Sequence, residues 1–229
     1  MLVEDGICDQ PITPASTFKI PISLMGYDAG FLKDAKEPAL PFKAGYPDWI
    51  ESWRQTTDPT SWMKNSVVWY SQRITEALGA ERFAGYVKAF GYGNEDISGD
   101  PGKDNGLTRS WLSSSLRISP LGQIEFLRNV ANRSLPVSDH AYAMTAELTK
   151  LRELPSGWTI HGKTGSGRRV LADGSKGNAQ GWFVGWATKG ERTIVFVRQV
   201  EDEKEEPVSP GLRTRDQMLE ELPAILAGL

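Results

Sequence analysis

The stretch "PITPASTFKIPISLMGYDAGFL", residues 11–32, decides how this chain is read. Ser16 and Lys19 stand three apart in a segment whose other residues, Ile20, Ile22, Leu24 and Met25, are apolar. With Pro14 ahead of it and Pro21 in its first turns, the segment predicts a helix from about Ser16 to Tyr27, kinked or tightened at its start. Residues i and i+3 of a helix share a face, so the Lys19 amine is within reach of the Ser16 hydroxyl. At a helix N-terminus Ser16 also lies where free backbone N–H groups point, a natural partner for a developing oxyanion. Two readings stay open here. Ser16 is either a helix cap beside a solvated lysine, as most such pairs are, or a nucleophile beside a buried amine.

Downstream the chain falls into a helical middle and a strand-rich end. Residues 36–62, with Pro38, Pro41, Pro47 and Pro59, read as a long excursion with little regular structure. "SVVWYSQRITEALG" and "ERFAGYVKAFG" predict two helices, the first headed by Ser66, stopped by Gly79 and Gly91. "YGNEDISGDPGKDNGL" is loop. Ser119 and Pro120 open another helix, with Leu121, Ile124, Leu127 and Ala131 on its inner face, and Ser138 caps the next. After Pro155, "GWTIHGKTG", "GWFVGWAT" and "RTIVFVRQV" have the aromatic and β-branched character of an antiparallel meander. A capping box of Thr214 and Gln217 predicts a last helix that turns Met218, Leu222, Ile225 and Leu226 inward. The expected class is α+β rather than alternating βαβ.

The composition narrows the chemistry. A length of 229 residues allows one sizeable core, and a net charge of −3 argues against nucleic acid as a partner. One cysteine, Cys8, permits no internal disulfide. Two histidines, His140 and His161, leave no histidine-rich metal site, and no metal is expected. No apolar run is long enough to span a membrane, and no export signal is visible.

Two more stretches bear on the opening question. "HGKTGSG" puts Lys163, Thr164 and Gly165 at the end of an apolar strand, followed by Ser166; "NSVVWYS" puts Ser66 at a helix head with Val68 behind it. Each has a plain reading alone, a strand running into a turn and an N-cap. In that order, Ser-x-x-Lys, a serine opening a helix and Lys-Thr-Gly resemble the penicillin-recognising serine enzymes. Val68, where related families show Asn, with Tyr92-Gly93-Asn94 and Trp111 in "SWLSSSLRISPLGQIEFL", makes the chain similar to class D β-lactamases, the oxacillinases.

The resemblance implies a β-lactamase/DD-peptidase-like fold: an antiparallel sheet flanked by helices, with an inserted all-helical lobe. Residues 1–229 are then one catalytic domain, with a helical lobe at about 28–155 and a sheet lobe of 1–27 plus 156–229. The family usually carries more sequence before the nucleophile, so the first strands of the sheet are expected to be incomplete, and Cys8 is either the remnant of a pair or a lone buried thiol. The implied activity is hydrolysis of β-lactam antibiotics, conferring resistance. Ser16 is the implied nucleophile and Lys19 the base, carrying carbon dioxide as an N-carbamate. A lysine among Phe18, Val68, Trp111 and Leu112 is costly as an ammonium, so burial favours the neutral amine that can take up carbon dioxide.

The remaining implied roles follow the motifs. Trp111 donates its indole N–H to the carbamate. Val68 keeps the pocket dry. Ser66 relays a proton to the departing lactam nitrogen, helped by Lys163. The backbone N–H groups of Ser16 and Ser166 form the oxyanion hole. Thr164, Gly165 and Arg213 bind the substrate, Arg213 through its carboxylate, while Arg215 is assigned to the surface. The implied cofactor is carbon dioxide on Lys19 alone. The implied state is a monomer or homodimer, and the implied location is the periplasm. Two relatives by motif, a β-lactam sensor that acylates and stalls and a DD-peptidase, are the alternatives; Val68 and Trp111 speak against the peptidase.

Overall fold

Nine consecutive buried residues, Lys19 to Tyr27, bury the first helix on every side, and such a helix belongs in the middle of a fold. The computed structural model describes residues 3–171 and 173–228. A 3₁₀ turn, Ala15–Phe18, runs into helix α1, Lys19–Asp28. Pro21 falls in the first turn of α1, where no N–H is needed. Helices α2 (Pro59–Asn65), α3 (Val68–Leu78), α4 (Ala80–Ala89), the short α5 (Gly106–Arg109), α6 (Pro120–Ala131) and α7 (Asp139–Thr149) follow. Asp28, at the end of α1, accepts hydrogen bonds from the Tyr86 hydroxyl of α4 at 2.6 Å and the Ser138 amide ahead of α7 at 2.7 Å. One carboxylate thereby ties three helices together.

The sheet has four antiparallel strands in chain order: β1 (Lys150–Glu153), β2 (Thr159–Val170), β3 (Lys176–Lys189) and β4 (Arg192–Glu201). Its two faces feed two cores through the period-two alternation of a strand. On β3, Trp182, Val184 and Trp186 join the large core around α1, while Phe183 and Ala187 join a second core with Met218, Leu222 and Leu226. These last three lie on α8, Pro210–Ala227, which closes the opposite face. The expected meander and α+β class are both present.

Several local expectations are corrected. Ser66 does not head a helix: it is the left-handed C-cap of α2, at φ +58°, and α3 begins two residues later. The inner face of α6 is Gln123, Phe126, Leu127 and Val130 rather than the set with Leu121, Ile124 and Ala131. Helix α8 starts at Ser209-Pro210, so Thr214 forms no capping box; one turn in, its hydroxyl donates to the Pro210 carbonyl at 2.7 Å. Ile225 on that helix is 43% exposed. Ahead of Ser16 the described residues show an isolated bridge between Ile12 and Ile118. Cys8 is half-buried, its thiol 3.6 Å from the Asp5 carbonyl.

Candidate active site

The 3₁₀ turn explains the first pair. With three residues per turn, positions i and i+3 lie directly above one another, closer than in an α-helix. Lys19 Nζ accordingly sits 3.4 Å from Ser16 Oγ. The turn is held by Pro14, whose carbonyl accepts both the Thr17 amide at 3.1 Å and the Thr17 hydroxyl at 2.7 Å. Lys19 is fully buried and, among the described residues, has no carboxylate within ion-pairing distance. Burial first, and then the charge of Lys163, holds its amine well below the ordinary lysine range.

A second lysine–serine pair faces it. Lys163, on β2, places Nζ 3.1 Å from Ser66 Oγ, 3.2 Å from the Thr164 carbonyl and 3.4 Å from the Thr164 hydroxyl. The left-handed backbone of Ser66 turns its hydroxyl out of the α2–α3 corner and into the cleft. Burial, with Arg215 nearby, pushes Lys163 down to about 7. Two amines are thus held below the ordinary lysine range by burial, each against a hydroxyl. That arrangement favours proton transfer over charge display.

Behind this wall Trp111 is fully buried. Its ring packs against Phe18 at 5.6 Å and edge-on to Phe83 at 6.2 Å. Its indole Nε1 is buried and finds no acceptor among the described residues. A buried N–H without a partner is costly and uncommon in folded proteins, so this donor is built to meet something. Val68, 2% exposed, opens α3 and supplies apolar wall to the cleft, as does Leu112.

The cleft itself measures about 2360 Å³ and reaches Ser16, Ser66, Thr164, Ser166 and Arg215. Strand alternation places Thr164 and Ser166 on it and turns Gly165 away. Gly165 is therefore a packing position rather than a substrate contact. A Cβ there would lie 2.8 Å from the Pro14 carbonyl, so the missing side chain is what lets β2 lie against the Ser16 turn. On its other side, Gly211 of α8 is equally tight, with space for a Cβ only 2.4 Å from the Gly165 carbonyl. The Ser166 hydroxyl bridges to the Ser209 hydroxyl at 2.7 Å and accepts from the Gly211 amide at 3.1 Å.

The two arginines exchange places relative to expectation. Arg213 does not line the cleft. It is held by both carboxylate oxygens of Asp202, at 2.6 Å to Oδ1, and donates from Nε to the Val208 carbonyl at 3.1 Å. Arg215, expected on the surface, lines the cleft and has only the neighbouring Asp216 as an ion-pair partner among the described residues. The signal was present in the helical spacing: Gly211, Arg215, Met218 and Leu222 fall at i, i+4, i+7 and i+11 on the face that meets the sheet, and Arg213 does not.

Other residues take supporting places. Trp53 lines the cleft and anchors its indole N–H on the Asn65 carbonyl at 2.9 Å. Tyr92 is a core residue packed on Phe18 and Phe126, its hydroxyl 3.1 Å from Gln123, while Asn94 lines the cleft and accepts the Arg117 amide at 2.9 Å. His161 stacks on Trp186 at 5.0 Å, and His140 meets the Lys33 carbonyl at 2.8 Å. Thr13, singled out by no motif, accepts and donates at the Trp111 turn.

Comparison with known proteins gives a consistent picture. The family model described as the penicillin binding protein transpeptidase domain matches residues 3–222. The chain is 42% identical over 228 residues to β-lactamase OXA-9 of Klebsiella pneumoniae, covering 98% of this chain and 83% of that protein. It is 42% identical over 194 residues to β-lactamase OXA-1 of Escherichia coli, covering 83% and 67% respectively. Among solved structures, the class D β-lactamase OXA-427 superimposes with a TM-score of 0.95 at 50% identity, covering 98% of this chain and 93% of that one.

Proposed function

We propose, for a chain that belongs to the class D β-lactamases and is a β-lactam hydrolase, that hydrolysis runs through an ester on Ser16 with a carbon dioxide-modified Lys19 as the base. Opening of β-lactams and resistance to them follow from the family. The finer mechanism is our reading of the side chains. Ser16 Oγ adds to the lactam carbonyl, the carbon–nitrogen bond breaks, and water then releases the acyl group.

What supports the base is one combination: a fully buried amine 3.4 Å from Ser16 Oγ, and a buried indole N–H, without an acceptor among the described residues, on a Trp111 ring that packs against Phe18, the residue before Lys19. The residues fit the group. Low-dielectric surroundings favour the neutral amine that carbon dioxide modifies, and Trp111 offers a donor with no competing role. When bound, the group supplies an anion that accepts protons. Phe18 and Val68 keep water from the amine, and Trp111 orients what the amine carries. Ser66, backed by Lys163, passes a proton to the departing nitrogen. The amides of Ser16 and Ser166 receive the developing oxyanion. Thr164 and Arg215, in place of Arg213, hold the substrate carboxylate.

The reading treats the chain as one catalytic unit, its helical lobe of about 28–155 facing the sheet lobe across the cleft. It also places the enzyme in the periplasm; among the described residues no helix is long and apolar enough to cross a membrane. The test is turnover of a chromogenic cephalosporin in carbon dioxide-depleted buffer, with and without added bicarbonate, together with intact-protein mass. Bicarbonate should restore lost activity, Ser16→Ala should form no adduct, and Lys19→Ala should accumulate a stable acyl-enzyme. Equal rates in both buffers would refute the base assignment.

A further inference from the structure

An indole donor is useful to Lys19 only if it is held still, and the turn that carries Trp111 is tied from outside as well as by its own Leu112–Arg109 and Leu116–Ser110 backbone bonds. Residue 113 in that turn is a serine at φ +55°, a conformation non-glycine residues hold only under outside constraint. The constraint comes from 98 residues away in sequence. The Thr13 hydroxyl donates to the Trp111 carbonyl at 2.9 Å and accepts the Ser113 amide at 3.0 Å, so one oxygen grips both sides of the turn. Thr13 is 7% exposed, which leaves water little chance to substitute for either bond. Its own carbonyl is fixed to the sheet by the Trp182 indole N–H at 2.9 Å. It also lies three residues before Ser16, next to the Pro14 carbonyl that organises the nucleophile turn. Thr13 is the point at which the sheet, the nucleophile segment and the Trp111 turn are joined.

We propose that Thr13 is a positioning residue that sets how tightly Lys19 takes up carbon dioxide, by holding the Trp111 indole against the turn that bears the lysine. This inference rests on the carbon dioxide-modified Lys19 of the preceding reading. Loading forms one N–C bond between the neutral amine and carbon dioxide, with loss of one proton to solvent. A loose Trp111 turn costs the loaded state its donor but leaves the amine in place, so the defect is in uptake and excess carbon dioxide overcomes it.

The experiment titrates wild type, Thr13→Val, Thr13→Ala and Thr13→Ser with ¹³C-labelled bicarbonate and follows the carbamate carbon by NMR, with circular dichroism to confirm folding. Thr13→Ser keeps the hydroxyl and should load as wild type does. Thr13→Val and Thr13→Ala, lacking both bonds, should need about tenfold more bicarbonate for half-loading, and their turnover should return at saturation. Wild type that shows no carbamate signal at any bicarbonate concentration removes the Lys19 reading and this inference with it. Wild type that loads, with Thr13→Val or Thr13→Ala loading at the same concentration, overturns the role of Thr13 alone. Failure of both hydroxyl-free variants to fold makes Thr13 a fold residue and likewise overturns it.

Discussion

Two arginines two positions apart on α8 should fail in opposite ways when replaced by alanine. Arg215 opens on the cleft, and its one ion-pair partner, Asp216, has a side chain 61% exposed. Arg215→Ala takes a pair of charge-assisted hydrogen bonds from the substrate carboxylate, worth about 1.5–3 kcal/mol. At about 1.4 kcal/mol per decade that is roughly a 10- to 140-fold loss in kcat/KM. An exposed pair contributes little to folding, so stability should change by less than about 0.5 kcal/mol. Arg213→Ala instead strands Asp202, whose side chain is only 9% exposed. Breaking a buried pair costs about 3–5 kcal/mol, and because Arg213 is itself 29% exposed, water recovers part of it. We expect about 2 kcal/mol, a fall in Tm of roughly 4–8 °C for a chain of this size, with kcat/KM within about threefold of wild type. Thermal denaturation and steady-state hydrolysis of a chromogenic cephalosporin, run on both variants, separate the two effects. Arg215→Lys should recover the charge but not the fork, and so part of the rate. If Arg213→Ala loses more kcat/KM than Arg215→Ala while its Tm is unchanged, the assignment of the cleft cation is wrong.

Three further outcomes are expected. At constant dissolved carbon dioxide, activity should fall as pH drops through the depressed Lys19 pKa, because protonation removes the amine lone pair; an acid limb missing from the pH–rate profile would contradict this. Lys163 titrates at about 7 in the fold against an ordinary 10.5, so between those values the unfolded chain holds a proton that the folded chain lacks. Its contribution to stability therefore rises with pH across that window, by up to about 1.4 kcal/mol per unit, and is level below it; the pH dependence of the stability difference between wild type and Lys163→Met measures the slope. Trp111→Phe should abolish the stimulation by bicarbonate yet leave stability in carbon dioxide-depleted buffer within about 1 kcal/mol of wild type, since losing an unpaired buried donor offsets losing ring contacts. Retained stimulation would show that Trp111 is a core aromatic only.

The parts of this molecule that follow short-range rules were legible from residues alone. The meander shows in the alternation of Trp182, Val184 and Trp186 against Phe183 and Ala187, and the pairing of Ser16 with Lys19 shows in a spacing of three. Ser66 was misplaced because a lone serine in the left-handed region ends one helix and precedes another within two residues, and no local pattern separates that from an N-cap. The start of α8 was misplaced for the opposite reason. Ser209-Pro210 is the same pair that correctly opens α6 as Ser119-Pro120, but the Thr214–Gln217 spacing competed with it. Arg213 was favoured over Arg215 on the resemblance alone, although the helical spacing puts Arg215 on the sheet-facing side and Asp202 takes Arg213. Thr13 left no trace, since its importance lies in contacts 98, 100 and 169 residues distant.

Strand β2 runs between the Ser16 turn and α8 with no room for a side chain at Gly165 or Gly211. A polypeptide emerging from the ribosome exposes Ser16 and Lys19 long before Lys163 and Arg215 have been synthesised. The amine at position 19 is then wet and protonated, and the serine beside it is an ordinary alcohol. Only when the strands of the sheet pack against α1 does that amine leave water, and Arg215 joins the cleft last, as α8 docks on the opposite face. Catalysis by this protein is therefore a report on completed synthesis and folding, because the groups that line its cleft lie far apart along the chain until then.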